Sequence, residues 1–286
     1  MVEITDSKTG ITYKYHIDAW LQRFLDKKVR ERINKRDKDY VLLLDGYEGS
    51  GKSTLAQQIA RYVDNSLSLD RICMTADEFK EAILKAEKGQ AVIYDEAVTG
   101  LTAGDSIGRV GRLLKSLMMQ MRQKNLFVIV ILPSVFEFNK YAVLSRAMSL
   151  FHTYESHGKM GFWTAFNRKA LRLLYLKGKK THSYKVHTPF RGRFYGKYTV
   201  DEEQYRDKKL KALEKMDDED GTETHRWLQQ GNALIVELKN SGKTYVDIVK
   251  ALERYKIKIT VEAISQRIKN FKKYMQKRGI AIGKDE

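Results

Sequence analysis

Residues 42 to 54 pass from three leucines into a glycine-rich turn, Leu-Leu-Leu-Asp-Gly-Tyr-Glu-Gly-Ser-Gly-Lys-Ser-Thr. Gly46, Tyr47, Glu48, Gly49, Ser50, Gly51, Lys52 and Ser53 fit the spacing G-x-x-x-x-G-K-[ST], with Thr54 directly after. Glycines at these positions let successive backbone N–H groups curl around phosphates. A helix starting at Lys52 adds its positive N-terminal end. The expected roles follow from reach: Lys52 for the outer phosphates, the Ser53 hydroxyl for Mg²⁺. ATP with Mg²⁺ is the expected cofactor pair.

Two further sites lie at the ends of apolar runs. Ala-Val-Ile-Tyr leads into Asp95 and Glu96. Asp95 is placed to help hold the Mg²⁺, and Glu96, one residue on, to polarise an attacking water as general base. That pair favours hydrolysis over phosphoryl transfer to a small molecule. The apolar run Leu126 to Leu132 ends in Pro133 and Ser134. Ser134 reads either as a sensor of the γ-phosphate or as a cap for the residues that follow.

Strands and helices must alternate to position these residues. Tyr40 to Leu44, Leu69 to Met74, Ala91 to Tyr94, Leu126 to Leu132 and Ser149 to Tyr154 have the apolar character of buried strands. Helical patterns separate them at Lys52 to Val63, Ala76 to Lys88, Ser106 to Lys124 and Phe136 to Ala147. The fold class is therefore α/β, a parallel sheet flanked by helices. Residues 1–39 read as a lead-in, a short strand pair and then an amphipathic helix with a basic face. That face is either solvated or a contact for DNA or a neighbour. The alternation in "GKMGFWTAFN" and "ALRLLYLKG" predicts an antiparallel hairpin added to the sheet. An acidic linker, 217–224, closes the domain spanning 40–216.

The succession "GYEGSGKST", "VIYDEA" and "VIVILPS" resembles the additional-strand, catalytic-glutamate class of P-loop ATPases. That class includes RecA-like and AAA+ proteins and the FtsK/HerA-type DNA translocases. "MRQKNLFVIVILPSVF" is most similar to phage and mobile-element ATPases related to the zonula occludens toxin domain. The resemblance covers about residues 40 to 155. It implies a RecA-like P-loop sheet of order 5-1-4-3-2, assembly as a homo-oligomer, and an arginine reaching a neighbour's site. Arg146, before the fifth strand, and Arg122, at the end of the preceding helix, are rival candidates for it; each is also readable as a surface arginine. The toxin-domain family usually carries a membrane helix, and no stretch of this chain has the apolar length of one.

Charge supplies the partner. Lys and Arg number 53 against 36 Asp and Glu, a net +17 over 286 residues, which points to a polyanion. Within 225–286, a small helical domain, Thr244 with Asp247 forms a capping-box pattern and Thr260 opens a second helix. Ile264, Ile268, Phe271 and Met275 repeat on one helical face, leaving Ser265, Gln266, Lys269, Asn270, Lys272 and Lys273 outward. The pair resembles a helix-turn-helix, with Gln266 and Asn270 to read bases and the lysines to hold phosphates. A protein-interaction bundle is the competing reading. Arg168 to Val200 holds ten Lys/Arg and no acid, interleaved with aromatics, and Arg191 and Arg193 are its candidate DNA contacts. The competing reading there is an edge hairpin blunted by basic residues. Lone Cys73 reads as a small buried residue, and no Cys/His spacing suits zinc. With no signal-peptide pattern at the start, the expected setting is the cytoplasm of a prokaryotic or virus-infected cell. The expected protein is a DNA-acting ATPase, on duplex DNA first and single strands second, with an ATP-switched DNA-binding regulator or assembly factor that hydrolyses slowly as the alternative.

Overall fold

A computed structural model of the chain describes residues 1–95, 123–188, 190–212, 231, 234–253 and 259–277. The side chains of residues 253, 270 and 273–277 lie outside that description. Two compact units are present, Met1–Leu213 and Glu214–Glu286.

The first unit is built on one nine-stranded sheet. Its strands are β1 (Val2–Thr5), β2 (Thr12–Ile17), β3 (Tyr40–Gly46), β4 (Ile72–Cys73), β5 (Ala91–Asp95), β6 (Phe127–Ile131), β7 (Ser149–Ser156), β8 (Lys159–Asn167) and β9 (Arg191–Tyr195). The order is β1-β2-β9-β8-β7-β3-β6-β5-β4. It differs from the expected five-strand order because four antiparallel strands extend the β7 edge. The parallel strands alone, numbered among themselves, run 5-1-4-3-2. Every residue of β3, β5 and β6 is buried, as continuous apolar runs require when helices cover both faces.

Helices cover the sheet from both sides. After β2 the chain enters α1 (Ala19–Phe24), a π-helical segment Leu25–Arg30 and α2 (Glu31–Asn34). Asp18 starts that run by accepting the Leu21 N–H at 2.9 Å. Helix α3 (Lys52–Val63) packs on β3, β5 and β6. Helix α4 (Ala76–Lys85) buries Phe79, Ala82 and Ile83 in a cluster with Val41, Leu43, Val128 and Val130. Helix α5 (Arg168–Gly178) adds Leu171, Leu174 and Tyr175 to the same cluster. No α3 residue belongs to it, so α3 takes the other face.

Helix α5 corrects the expected hairpin. β8 does return antiparallel on β7, but "ALRLLYLKG" is helical. Asn167 accepts the Lys169 and Ala170 N–H groups at 3.1 and 3.0 Å and starts the helix. The buried positions 171, 174, 175 and 178 follow the period of 3.6 rather than 2. The helix expected over Phe136 to Ala147 is shorter. Turns occupy 135–138, Asn139 caps the next turn through Tyr141 N at 2.9 Å, and a π-helical turn spans Ala142–Arg146. Cys73 is buried, which pushes its thiol up to about 12 and leaves it unreactive.

Two buried carboxylates hold outlying segments to the core. Asp64 accepts from Ala91 N at 2.9 Å, from Ser66 Oγ at 2.7 Å and from Arg71. Asp6 accepts from Lys8 N at 2.7 Å, Thr9 N at 2.9 Å and Arg61 Nη1 at 2.5 Å. Burial alone would raise both carboxyls, but these donors and the arginine charges outweigh it and hold both below the usual range.

The second unit is helical. Helix α6 (Tyr245–Glu253) and α7 (Val261–Lys277) bury Ile248, Ile264, Ile268 and Phe271 against Ile235 and Val236. Thr244 and Asp247 cap each other reciprocally, Thr244 N to Asp247 Oδ2 at 3.0 Å and Asp247 N to Thr244 Oγ1 at 3.2 Å. Among the described residues no helix is long and apolar enough to cross a membrane.

A depressed folded-state pKa contributes stability that is complete above the unfolded pKa, about 4 for Asp, and is lost as pH falls below it. Asp64→Asn should therefore unfold with a shallower stability-versus-pH slope below about pH 4, and cost about 3–5 kcal/mol at neutral pH because Arg71 loses its partner. Urea melts of both proteins across that pH range measure this.

Candidate nucleotide site

Strand β3 ends at Gly46, and the chain turns through residues 47–51 into α3. Two glycines are required by space. A Cβ on Gly46 would lie 2.3 Å from the Thr153 carbonyl oxygen, and one on Gly51 2.8 Å from the Phe194 ring. Both also have positive φ, 142° and 89°. Ser50 fastens the turn, with its hydroxyl 2.7 Å from both the Tyr47 carbonyl and Thr153 Oγ1. Lys52 Nζ donates to the Gly46 and Tyr47 carbonyls at 2.7 and 2.8 Å. Burial lowers its pKa, while Asp95, Asp45 and Glu48 pull it back up. An ammonium held this way gains from an anion placed in the turn. Tyr47, Glu48 and Gly49 form the exposed crest, and Thr54 follows Ser53 in α3.

The sheet order brings the second half of the site to the first. Asp95 ends β5, two strands from β3, and is fully buried. Ser53 Oγ donates to Asp95 Oδ2 at 2.8 Å. A hydroxyl and a carboxylate so placed are the hard oxygen donors that Mg²⁺ takes. The glycine cradle, Lys52 and this pair thus fit a magnesium nucleotide. Glu96 and Arg122 lie outside the described residues.

Sequence reasoning missed several groups here. Tyr205, in the helical stretch 202–212, donates to the same Asp95 Oδ2 at 2.5 Å, and Lys209 Nζ lies 3.7 Å from it. Burial first, then the Asp95 charge, raises the Tyr205 phenol, so it stays a donor. Phe194 closes over Gly51. Asp45, fully buried before Gly46, accepts from Val135 N at 2.9 Å and Tyr184 OH at 2.5 Å. His152 Nδ1 lies 2.9 Å from the other oxygen, and its ring stacks on Tyr184 at 3.8 Å. The one sequence signal for this second network was a charge at the end of an otherwise apolar strand. Nothing local identifies its partners.

The other expected residues fall as follows. Ser134 is half-buried and accepts the Phe136 N–H at 3.3 Å, a local turn contact. Arg146 pairs with Asp39, just before β3 begins, and so lies at the far end of that strand from Gly46. It takes no part in its own chain's P-loop. Arg193 in β9 stacks over Phe162 and Tyr195 at 4.5 and 4.7 Å, and Arg191 is exposed. In α7, Gln266 and Lys269 are exposed and Ser265 and Lys272 half-buried. The side chains of Asn270 and Lys273 lie outside the described set.

No family model matches the chain, and no curated protein matches it. Among solved structures it is similar to the N-terminal domain of zonular occludens toxin from Neisseria meningitidis. That likeness has 14% identity and a TM-score of 0.33, over 59% of this chain and 98% of that one.

Tyr205 and an incoming cation compete for one carboxylate oxygen. Tyr205→Phe removes the competing donor, and a net hydrogen bond of about 0.5–1.5 kcal/mol translates into roughly two- to tenfold tighter Mg²⁺–nucleotide binding. Titration with a fluorescent ATP analogue, with and without Mg²⁺, measures it; the gain should need Mg²⁺.

Proposed function

We propose that the chain is a Mg²⁺-dependent ATPase that acts on DNA. In this reading it works as a homo-oligomer in translocation, packaging or replication of viral or mobile-element DNA. The observation that carries the nucleotide half is the meeting of Lys52, Ser53 and Asp95 at a turn where Gly46 and Gly51 leave no room for a Cβ. Loop N–H groups and Lys52 would bind the phosphates, and Ser53 and Asp95 would hold the cation. Bound Mg²⁺ would neutralise charge on the outer phosphates. Glu96, next in sequence after Asp95, is assigned the general base. Arg146 is offered to a neighbouring copy, with Arg122 as the rival. Ser134 is kept as the candidate sensor.

The DNA half rests on the net charge of +17 and on the outward polar face of α7. Gln266 and Asn270 would read bases, with Lys269, Lys272, Lys273 and Ser265 on the backbone. Arg191 and Arg193 are the contacts proposed from the sheet unit. One observation favours a second reading, an ATP-switched DNA-binding regulator or assembly factor: Tyr205 donates to the Asp95 oxygen that also accepts from Ser53, with Lys209 3.7 Å away, so a metal at that oxygen would displace the Tyr205 hydroxyl.

Turnover separates these. The motor requires repeated hydrolysis accelerated by DNA; the switch requires slow hydrolysis that DNA leaves unchanged. Lys52→Ala should lower the ATPase rate by about 10²-fold or more, and Glu96→Gln should retain ATP binding while losing turnover. Normal turnover in Lys52→Ala would discard the site. In the full chain, Lys269→Glu should weaken duplex binding and reduce the salt slope by about one. An unchanged slope would remove α7 from the interface.

A further inference from the structure

At the end of the sheet opposite the P-loop the first unit has a cleft of about 780 Å³. Its back wall is the start of β3 at Tyr40, the start of β7 at Ser149, and the end of β8, where Asn167 pairs with Ser149. Tyr40 and Gly46 are six residues apart along β3, so this cleft and the nucleotide turn are separated by about 20 Å of strand.

Its lining is selective. The helical run after β2 contributes Arg23, Lys27, Lys28, Arg32 and Arg36. From the other side come Arg168 and Lys169, at the start of α5. No Asp or Glu among the described residues lines the cleft. Among the described residues none of these seven cations has a carboxylate partner, although Arg30, Lys35 and Arg146 nearby all do. Backbone oxygens steady two of them: Arg32 Nε donates to the Asp39 carbonyl at 2.8 Å, and Arg168 Nη2 to the Ser145 carbonyl at 3.1 Å. Burial depresses the Arg32 guanidinium; the nearby Asp39 carboxylate, which Arg146 pairs, opposes this, and the charges of Arg168 and Arg146 add to the depression. Seven cations with no carboxylate of their own in the lining favour a polyanionic occupant.

Aromatic rings make the other half of the lining. Trp20, half-buried, stacks on Phe24 at 5.3 Å and 15° and on Phe190 at 4.7 Å and 25°. Phe24 and Phe190 are also half-buried, so each ring keeps some surface toward the cleft. Partly exposed aromatic rings bordered by guanidinium and ammonium groups suit a strand whose bases are free to pack against them. A duplex keeps its base faces inside and would leave these rings without a partner.

We propose that this cleft is a binding site for single-stranded nucleic acid, with the basic rims following the backbone and the Trp20–Phe190 platform receiving a base. It deepens the nucleic-acid part of the reading above by giving the sheet unit its own strand-selective site. It does not depend on nucleotide at the P-loop.

The test uses the full chain without nucleotide and a fluorescein-labelled 20-nucleotide oligo-dT, followed by anisotropy. Lys27 and Lys28 are exposed, so K27E/K28E removes charge without touching the core. It should bind oligo-dT about fivefold or more weakly, with a reduced salt slope, and bind a duplex of the same length within about twofold of the parent. Unchanged oligo-dT affinity, or an equal loss for the duplex, overturns the proposal. Photo-crosslinking with an oligo-dT carrying 5-iododeoxyuridine locates the strand independently. Adducts on peptides containing Trp20, Phe24 or Phe190 support the site, and adducts confined to residues 261–277 refute it. Because no nucleotide is present, either result leaves the ATPase reading to its own test.

Discussion

The buried carboxylate of Asp95 is the constraint around which the first unit is arranged. A charge with no solvent exposure at the end of an apolar strand is tolerated only with donors supplied to it. Those donors come from distant parts of the chain: Ser53 from α3, 42 residues earlier, and Tyr205, 110 residues later. In this sheet β3 and β5 sit on either side of β6, and the chain returns after β9 to bring Tyr205 to the same oxygen as Ser53.

That return is fixed by the polar side of α3. Gln57, Gln58 and Arg61 are buried, an expensive choice in the middle of a helix unless each finds partners. Gln58 Nε2 donates to the Tyr195 and Lys197 carbonyls at 3.2 and 3.3 Å. Thr199 donates twice to Gln57, from N to Oε1 at 3.2 Å and from Oγ1 to the carbonyl at 3.0 Å, and Arg61 Nη2 donates to the Thr199 carbonyl at 2.7 Å. Residues 195–199 are therefore strapped to the same helix whose N-terminus forms the phosphate turn. Phe194 over Gly51 and Tyr205 on Asp95 are the two ends of this strap.

The parts legible in the sequence were those whose signal is local. The Gly46–Ser53 spacing, the fully apolar β3, β5 and β6, and the Thr244–Asp247 cap each declare themselves within a few residues. What escaped was of two kinds. Residues 168–178 carry enough apolar positions to satisfy either period, and the deciding feature is the Asn167 cap together with a core that takes 171, 174, 175 and 178. Partnerships such as Asp45 with His152 and Tyr184 span 107 and 139 residues, and only the sheet register brings them together. The basic face of the N-terminal helical run stood as a bare charge pattern for the same reason. Its counterparts, Arg168, Lys169 and Phe190, lie on segments that reach it only through β8 and β9.

Strand β3 has a different task at each end. At its C-terminal end Gly46 is pressed against Thr153 by the parallel pairing with β7, and the turn that follows depends on that contact. At its start Asp39 holds Arg146, the Asp39 carbonyl holds Arg32, and Tyr40 borders the basic cleft. Between the two ends every residue is buried, and Leu42, Leu43 and Leu44 are paired on both sides, which fixes the strand's register. Helix α3 joins the two ends by another route: it starts at the glycine turn and packs on the π-helical segment that carries Lys27 and Lys28.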